Sequence, residues 1–194
     1  MRTTVLVCMF AAIGAFWLTG CSTAPKSAEA KVDLGSNVRE TIDMARTADP
    51  GLEGFFGDSA GYAVFPTVGK GAVGVGGAFG RGQLFQDGRV VGYCSLTQAS
   101  IGLALGGQAY SELIFFETPE ALNRFKSGNY AFAAQVSAVA IKSGASANAK
   151  YADGVAVFTM GEQGLMVEAS VGGQKFSFEP IATASAAQPV DATR

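Results

Sequence analysis

The sequence predicts an α+β fold, with a curved, mostly antiparallel and glycine-rich sheet or partial barrel against which a few helices pack. Two observations predict the sheet. From Gly61 onward, short apolar runs alternate with glycines, which is typical of strands and turns. The Asp87-Gly88 pair lies between two of these runs and supplies the positive φ angles that a tight hairpin needs. A third observation, helical spacing near the N-terminus and helix-end residues around 118–128, predicts the helices.

Three helices are predicted in this way. Before Pro50, apolar residues recur at spacings of four and three, at Leu34, Val38, Ile42 and Ala45. This pattern predicts a first helix over 36–48, and its outer face mixes acidic with basic residues, which favours packing on a core over packing on a membrane. A short second helix is predicted over 52–56. The third helix is predicted from the residues at its two ends. Thr118 can be its N-cap, a proline follows in the first turn, and Gly128 can end it in a left-handed cap.

The remaining apolar runs are interpreted as strands. They cover residues 62–65, 83–85, 90–93, 101–105, 113–116, 130–141, 155–159, 165–169 and 176–178. Gly106-Gly107 is predicted to join two of them, and residues 161–164 are predicted to form a second hairpin turn. The order of the strands in the sheet cannot be derived from these patterns.

Half of the residues in the segment 69–82 are glycine. Its first six residues satisfy the G-x-G-x-x-G pattern of dinucleotide-binding loops, but that pattern must open a helix, and residues 75–80 strongly disfavour one. The segment therefore predicts bent or closely packed β structure in preference to a nucleotide loop. We expect Gly74, Gly76 and Gly77 to be the positions where backbones approach closely.

The N-terminus has the features of an export signal. An apolar run over 5–17 follows Arg2 and is too short to span a bilayer. It ends in Leu18-Thr19-Gly20-Cys21, which resembles the lipobox of bacterial lipoproteins, so we expect cleavage before Cys21 and lipid on its sulfur. In that sorting scheme, Asp after the lipidated cysteine retains a lipoprotein in the inner membrane. Ser22 at this position therefore implies an outer-membrane lipoprotein that faces the periplasm.

The predicted organisation has four parts. These are the signal peptide 1–20, a lipidated tether 21–31, one domain over 32–181 and a disordered tail over 182–194. The whole chain has a net charge of −2, and the signal removes one basic residue, so the mature chain is slightly more acidic. This charge does not indicate a nucleic-acid partner.

The composition argues against catalysis. The chain has no histidine, which excludes Ser-His-Asp and Cys-His nucleophile systems and any His-containing metal site. Cys94 has no cysteine partner left in the mature domain and is predicted to be a buried, inert thiol. Glu112 with Glu117, and Glu162 with Glu168, are interpreted as solvated strand ends. We therefore predict no enzyme activity, catalytic residue, metal or cofactor.

Several blocks carry a family resemblance. They are residues 63–68 (AVFPTV), Lys70-Gly71, the glycine run to Gly82, residues 100–103 (SIGL), Gly106-Gly107-Gln108, residues 125–128 (FKSG), residues 164–166 (GLM) and residues 172–176 (GGQKF). In this order they resemble the SYLF domain family over about 48–180. The sequence GYCS at 92–95 departs from the family, because many members have tryptophan between glycine and serine there.

The resemblance implies a lipid-binding function. Eukaryotic SYLF proteins bind phosphoinositides and other anionic lipids, and some bind actin; in a bacterial envelope the implied ligand is an anionic phospholipid head group, with Lys70 at the matching position. An acidic chain needs a local basic patch for such binding, and the candidates are Lys70, Arg81, Lys142 and Lys175. Alternatively, Lys70 keeps a sheet edge soluble, and the protein is a structural or partner-binding envelope lipoprotein of unknown protein partner.

Overall fold

The structure is a computed structural model that describes residues 23–73, 75–101, 106–128, 130–132, 136–161, 171 and 173–181. Eight strands form one sheet in the order β5-β8-β3-β2-β1-β4-β7-β6. The strands are β1 Gly61–Val73, β2 Val75–Gln86, β3 Arg89–Ile101, β4 Gly106–Phe116, β5 Tyr130–Ala131, β6 Ala138–Ala140, β7 Val155–Gly161 and β8 Lys175–Pro180. All neighbours are antiparallel except β6 and β7. The predicted α+β class is confirmed.

The glycine-rich segment lies in two long strands at the centre of the sheet. β1 and β2 pair from Tyr62↔Phe85 to Val73↔Val75, so the segment contains no helix that could open a dinucleotide site. A β-bulge interrupts β1 between Val64 and Thr67. Past the bulge, β1 and β2 stay paired with each other, and their outer sides pair with β4 and β3 as far as Ala72↔Gly106 and Val75↔Ile101.

The hairpin between β2 and β3 agrees with its predicted turn. Asp87 and Gly88 have φ angles of 52° and 71°, the left-handed values of a two-residue type I′ turn. Two other predicted connections are wrong. Ile101 ends β3 instead of starting a strand, and Gly106 and Gly107 pair as the first residues of β4 instead of joining two strands.

Helix α1 spans Ala28–Ala48 and begins eight residues before the predicted start. The hydroxyl of Ser27 caps it by accepting from the Ala30 N–H at 3.1 Å. Residues 28–31 therefore belong to the helix and not to a tether, since alanine, glutamate and lysine favour helix. Ala24 is buried, and its N–H donates to Glu179 on β8, so the lead-in also packs on the sheet.

The other two helices confirm their predictions. Helix α2 spans Leu52–Asp58, and Phe55 contacts Phe115 and Phe158 of the sheet with ring centroids 5.5 and 5.0 Å away. Helix α3 spans Pro119–Lys126, with Thr118 accepting from the Ala121 N–H at 3.3 Å and Gly128 left-handed at φ 79°. Each helix thereby buries its apolar face on the sheet.

The sheet separates two apolar clusters. On one face, α1 and α2 bury residues that include Val64, Leu113 and Phe158; this is the helix side. On the other face, residues such as Phe65, Ile114 and Phe176 pack together with α3. The Phe65 and Phe176 rings are 5.9 Å apart although two strands separate β1 from β8, so the sheet curls around this second cluster. The curl creates a half-barrel interior.

The predicted strand over 130–141 is wrong. Its ends form two short strands, β5 and β6, at opposite edges of the sheet, which a continuous strand could not reach. Several predictions concern residues outside the described part of the chain: Cys21 and the signal peptide, residues 102–105, the turn at 161–164 beyond Gly161, Glu162, Glu168, the strand over 165–169 and the tail over 182–194.

Candidate functional site

One end of the helix side of the sheet extends past α1 and carries an aromatic ring with two cations. Phe79 and Arg81 lie two residues apart on β2, and the Arg81 guanidinium carbon is 5.1 Å from the centre of the Phe79 ring. Phe79 is 45% exposed. Thr97 on β3 pairs with both Phe79 and Lys175, which places Lys175 in the same row. We define the open face as the exposed residues Thr67, Phe79, Arg81, Thr97, Lys175 and Ser177.

Strand alternation places Lys70 on the opposite face. Lys70 pairs with Ala78 and Gln108, and Ala78 is buried in the interior cluster. Its strand β1 is central in the sheet, so the alternative that Lys70 protects a sheet edge is wrong. Lys142 follows β6 at the far edge from β8. Of the four basic candidates, the fold therefore brings Arg81 and Lys175 together and leaves Lys70 and Lys142 elsewhere.

A cleft of about 400 Å³ separates α1 from the sheet beside the β1 bulge. Its lining is mixed in polarity: Asn37, Glu40, Thr41, Met44, Pro66, Thr67, Ser111, Met160 and Gly161. Met44 is 45% exposed, and the Ser111 hydroxyl is occupied by a 2.7 Å hydrogen bond to the Pro66 carbonyl. The cleft offers an apolar contact with acceptor groups around it, and Thr67 connects it to the open face.

The half-barrel interior contains a buried carboxyl group that the sequence interpretation placed in solvent. Glu112 on β4 is fully buried, so its assignment as a solvated strand end is wrong, whereas Glu117 is exposed as predicted. The Gln174 amide nitrogen donates to Glu112 Oε2 at 2.9 Å and lies 3.3 Å from the Tyr110 hydroxyl. Gln174 immediately precedes β8, so these contacts cross the interior of the curled sheet.

The environment of Glu112 favours its neutral form. Burial raises its pKa to about 8, and hydrogen bonds from Gln174 and Tyr110 offset only part of that rise. Burial also raises the pKa of the Tyr110 hydroxyl, and the nearby Glu112 carboxylate adds to the effect. The ion pairs found among the described residues, Arg46–Glu53 and Arg124–Asp153, do not include Glu112.

A sequence signal for this group existed. Tyr110, Glu112, Ile114 and Phe116 alternate on β4, and all but Glu112 are apolar or aromatic. Alternate residues of a strand point to the same face, so a carboxylate among residues that point into the core indicates an unusual buried group. The predicted strand began at Leu113, which put Glu112 outside it. Because β4 in fact begins seven residues before Leu113, Glu112 lies within the strand and alternates with the core residues.

Cys94 and the acidic residues in the described part of the chain are the remaining groups that could carry chemistry. Cys94 is fully buried, which confirms the predicted burial, and burial raises the pKa of its thiol well above the ordinary value. Within the described segments, no three His, Cys, Asp or Glu side chains lie close enough together to hold a metal ion.

Known proteins that are similar to this chain test the family resemblance seen in the sequence. Residues 97–186 match the family model "Ysc84: Las17-binding protein actin regulator". This match agrees with the resemblance to the SYLF family over that part of the chain. The matched part of the chain runs from the second half of β3 through β8 and includes Glu112, Gln174 and Lys175. Lys70 and Arg81 precede it.

A curated relative supports the same family. Beta cell expansion factor A from Aeromonas veronii is 27% identical over 158 residues, which are 78% of this chain and 59% of the relative. The chain thus spans little more than half of that protein. No helix in the described part of the chain combines the length and apolar character needed to cross a bilayer.

Proposed function

We propose that this protein is a non-enzymatic lipid-binding protein of the cell envelope, whose SYLF domain binds anionic head groups through the open face. The observation that carries the proposal is the exposed Phe79 ring beside Arg81, with Lys175 in the same row of the sheet. An exposed phenylalanine ring can bury itself at the boundary between head groups and acyl chains, and the two cations suit phosphates. The absence of histidine and the inert Cys94 support a role without catalysis.

Binding of this kind should be weak and local. The whole chain has a net charge of −2, so a negative bilayer repels it on average. Each basic side chain near an anionic surface contributes about 1 kcal/mol, and two of them give only a modest attraction. The affinity should fall as salt shortens the range of the electrostatic interaction.

Vesicle co-sedimentation tests the head-group proposal. A chain that begins at Ser22, and therefore has no acyl anchor, should pellet with phosphatidylglycerol or cardiolipin vesicles more than with phosphatidylcholine vesicles. The double substitution Arg81→Glu with Lys175→Glu should lower the bound fraction at least about tenfold, from the loss of roughly 1 kcal/mol per cation. Raising the salt from about 0.05 M to about 0.5 M should release the wild-type protein.

The control is a matched double substitution elsewhere. Lys142→Glu with Lys150→Glu changes the net charge equally at two exposed positions away from the open face. It should leave most of the binding intact. Equal losses in the two double variants would mean that only net charge matters. Equal pelleting on neutral and anionic vesicles, or none on either, would refute the head-group proposal.

The envelope location is proposed from the lipobox-like Leu18-Thr19-Gly20-Cys21. In this proposal Cys21 carries lipid and holds the domain at the periplasmic side of the outer membrane. Cys21→Ser should abolish incorporation of a labelled fatty acid in growing cells, while Cys94→Ser, at a buried thiol, should not. A Cys21→Ser protein that still incorporated the label would contradict the lipoprotein assignment.

The cleft beside α1 supports a second candidate, a protein-binding envelope lipoprotein. Its mixed lining and the exposed Met44 suit a peptide side chain better than a phosphate. The names of the family model and of the relative, an actin regulator and an expansion factor, describe regulatory proteins. Failure of vesicle binding with the fold intact would favour this candidate.

A further inference from the structure

The interior cluster around Glu112 contains three buried oxygen atoms that receive no hydrogen bond in the described structure. They are Glu112 Oε1, Thr159 Oγ1 and Gln174 Oε1. Glu112 and Thr159 are direct register partners on β4 and β7, so their side chains share the interior face. Gln174 reaches the same carboxyl group through its amide nitrogen at 2.9 Å. The three side chains are 0–1% exposed.

Such an arrangement is unusual because buried polar atoms are nearly always paired. Protonation of Glu112 would supply one hydrogen and the Thr159 hydroxyl carries another, so two hydrogens would have to serve three oxygens. A ligand that brings positive charge and several donors, or a bare monovalent ion, has the chemistry that these oxygens lack and would neutralise the carboxylate. A divalent cation fits less well, because Glu112 is the one carboxylate that the described residues place in this cluster.

We propose that Glu112, Thr159 and Gln174 form a buried site for a compact monocation with the chemistry of potassium, ammonium or a primary ammonium group. The occupied site joins β4 and β7 on one side of the half-barrel to the segment before β8 on the other. Its occupant therefore stabilises the curl of the sheet. This proposal is independent of lipid binding on the open face, which lies on the other side of the sheet.

Thermal unfolding of the whole purified chain tests the site. Measurements at roughly pH 9, above the Glu112 pKa of about 8, keep the carboxylate ionised in the folded protein. At an equal concentration of about 0.15 M, potassium, ammonium and methylammonium chloride are each compared with choline chloride, whose cation is too bulky and has no N–H donor. The melting temperature should be higher with at least one compact cation than with choline.

Two substitutions locate the effect. Glu112→Gln removes the charge at nearly constant shape, and Thr159→Val removes one oxygen; the first should abolish the cation-dependent shift and the second should reduce it. Glu117→Gln removes an exposed carboxylate just beyond the end of the same strand and should leave the shift unchanged. If Glu112→Gln does not fold, Thr159→Val against Glu117→Gln remains the deciding comparison.

The cation series identifies the source of the chemistry. A response to potassium or ammonium without methylammonium assigns an inorganic ion, and a larger response to methylammonium assigns an amine. Equal melting temperatures in all four salts would overturn the proposal and leave buried water as the partner of the unpaired oxygens. A wild-type shift that persisted in both Glu112→Gln and Thr159→Val would overturn it as well.

Discussion

Replacing Gly82 with alanine should lower the free energy of unfolding by about 3 kcal/mol, the upper end for an overpacked site. A Cβ atom at Gly82 would lie 2.3 Å from the Val64 carbonyl oxygen and 2.9 Å from the Phe65 ring. The nearer atom belongs to the backbone of a central strand, so it cannot move aside as a flexible side chain can. Urea unfolding followed by circular dichroism measures the loss.

The reason for this close approach is the bulge in β1. Gly82 on β2 lies opposite the point where the register of β1 shifts, between Val64 and Thr67. With one extra residue in β1 at this point, the Val64 carbonyl lies against Gly82, and only a residue without a side chain fits there. The glycine therefore permits the bend that places Phe65 in the interior cluster.

Gly69→Ala is the matched control. Gly69 belongs to the same glycine-rich segment, is exposed, and has open space where its Cβ would be. Because alanine restricts the unfolded chain, this change should be neutral or stabilising by about 0.5 kcal/mol. Similar losses at Gly69 and Gly82 would contradict the steric explanation and would indicate a general requirement for flexibility.

The sequence predicted the role of the glycines correctly but not the position of this contact. It predicted close backbone approach at Gly74, Gly76 and Gly77. Of these, the structure describes the surroundings of Gly77, where a Cβ would lie 3.3 Å from the Gln98 carbonyl, a tight contact but less severe than at Gly82. Residue type alone could not rank the positions, because the ranking depends on a bulge in the neighbouring strand.

Local signals predicted local structure well. The Asp87-Gly88 turn, α2 and the Thr118 cap depend on neighbouring residues, and each formed as predicted. The pairing of residues distant in sequence was not predictable from these signals. Tyr130 and Ala138 lie on strands at opposite edges of the sheet, although they are eight positions apart.

For the candidate sites too, the sequence predicted local features but not which distant residues come together. Composition identified Arg81 and Lys175 as basic candidates, but only the register through Thr97 shows that they share a face. It also offered Lys70, which strand alternation places on the other side. The contact between Glu112 and Gln174 depends on the curl of the whole sheet, so no spacing in the sequence could predict it.

Asp49 should be the acidic side chain on which the attachment of α1 depends. Its carboxylate follows the last residue of α1 and accepts three backbone hydrogen bonds, from Gly51 at 3.2 Å, Gly144 at 3.3 Å and Ser146 at 2.7 Å. Two of these donors belong to the loop between β6 and β7, so one side chain joins the helix to a distant connection. Asp49→Ala should lower the free energy of unfolding by about 3 kcal/mol, because buried N–H donors lose a charged partner.

The contribution of Asp49 should also depend on pH. Burial by itself would raise its pKa, but the hydrogen bonds from Ser146, Gly51 and Gly144 outweigh burial and lower the pKa below its ordinary value of 3.8. A lowered folded-state pKa means that the stabilisation is fully present above about pH 5 and is lost as the pH falls through the folded pKa. The difference in unfolding free energy between wild type and Asp49→Asn should therefore shrink between about pH 6 and about pH 3. Asp43→Asn, at an exposed position on α1, should show a much smaller difference throughout. A constant gap for Asp49→Asn across this range would mean that the carboxylate acts through its shape and not through its charge.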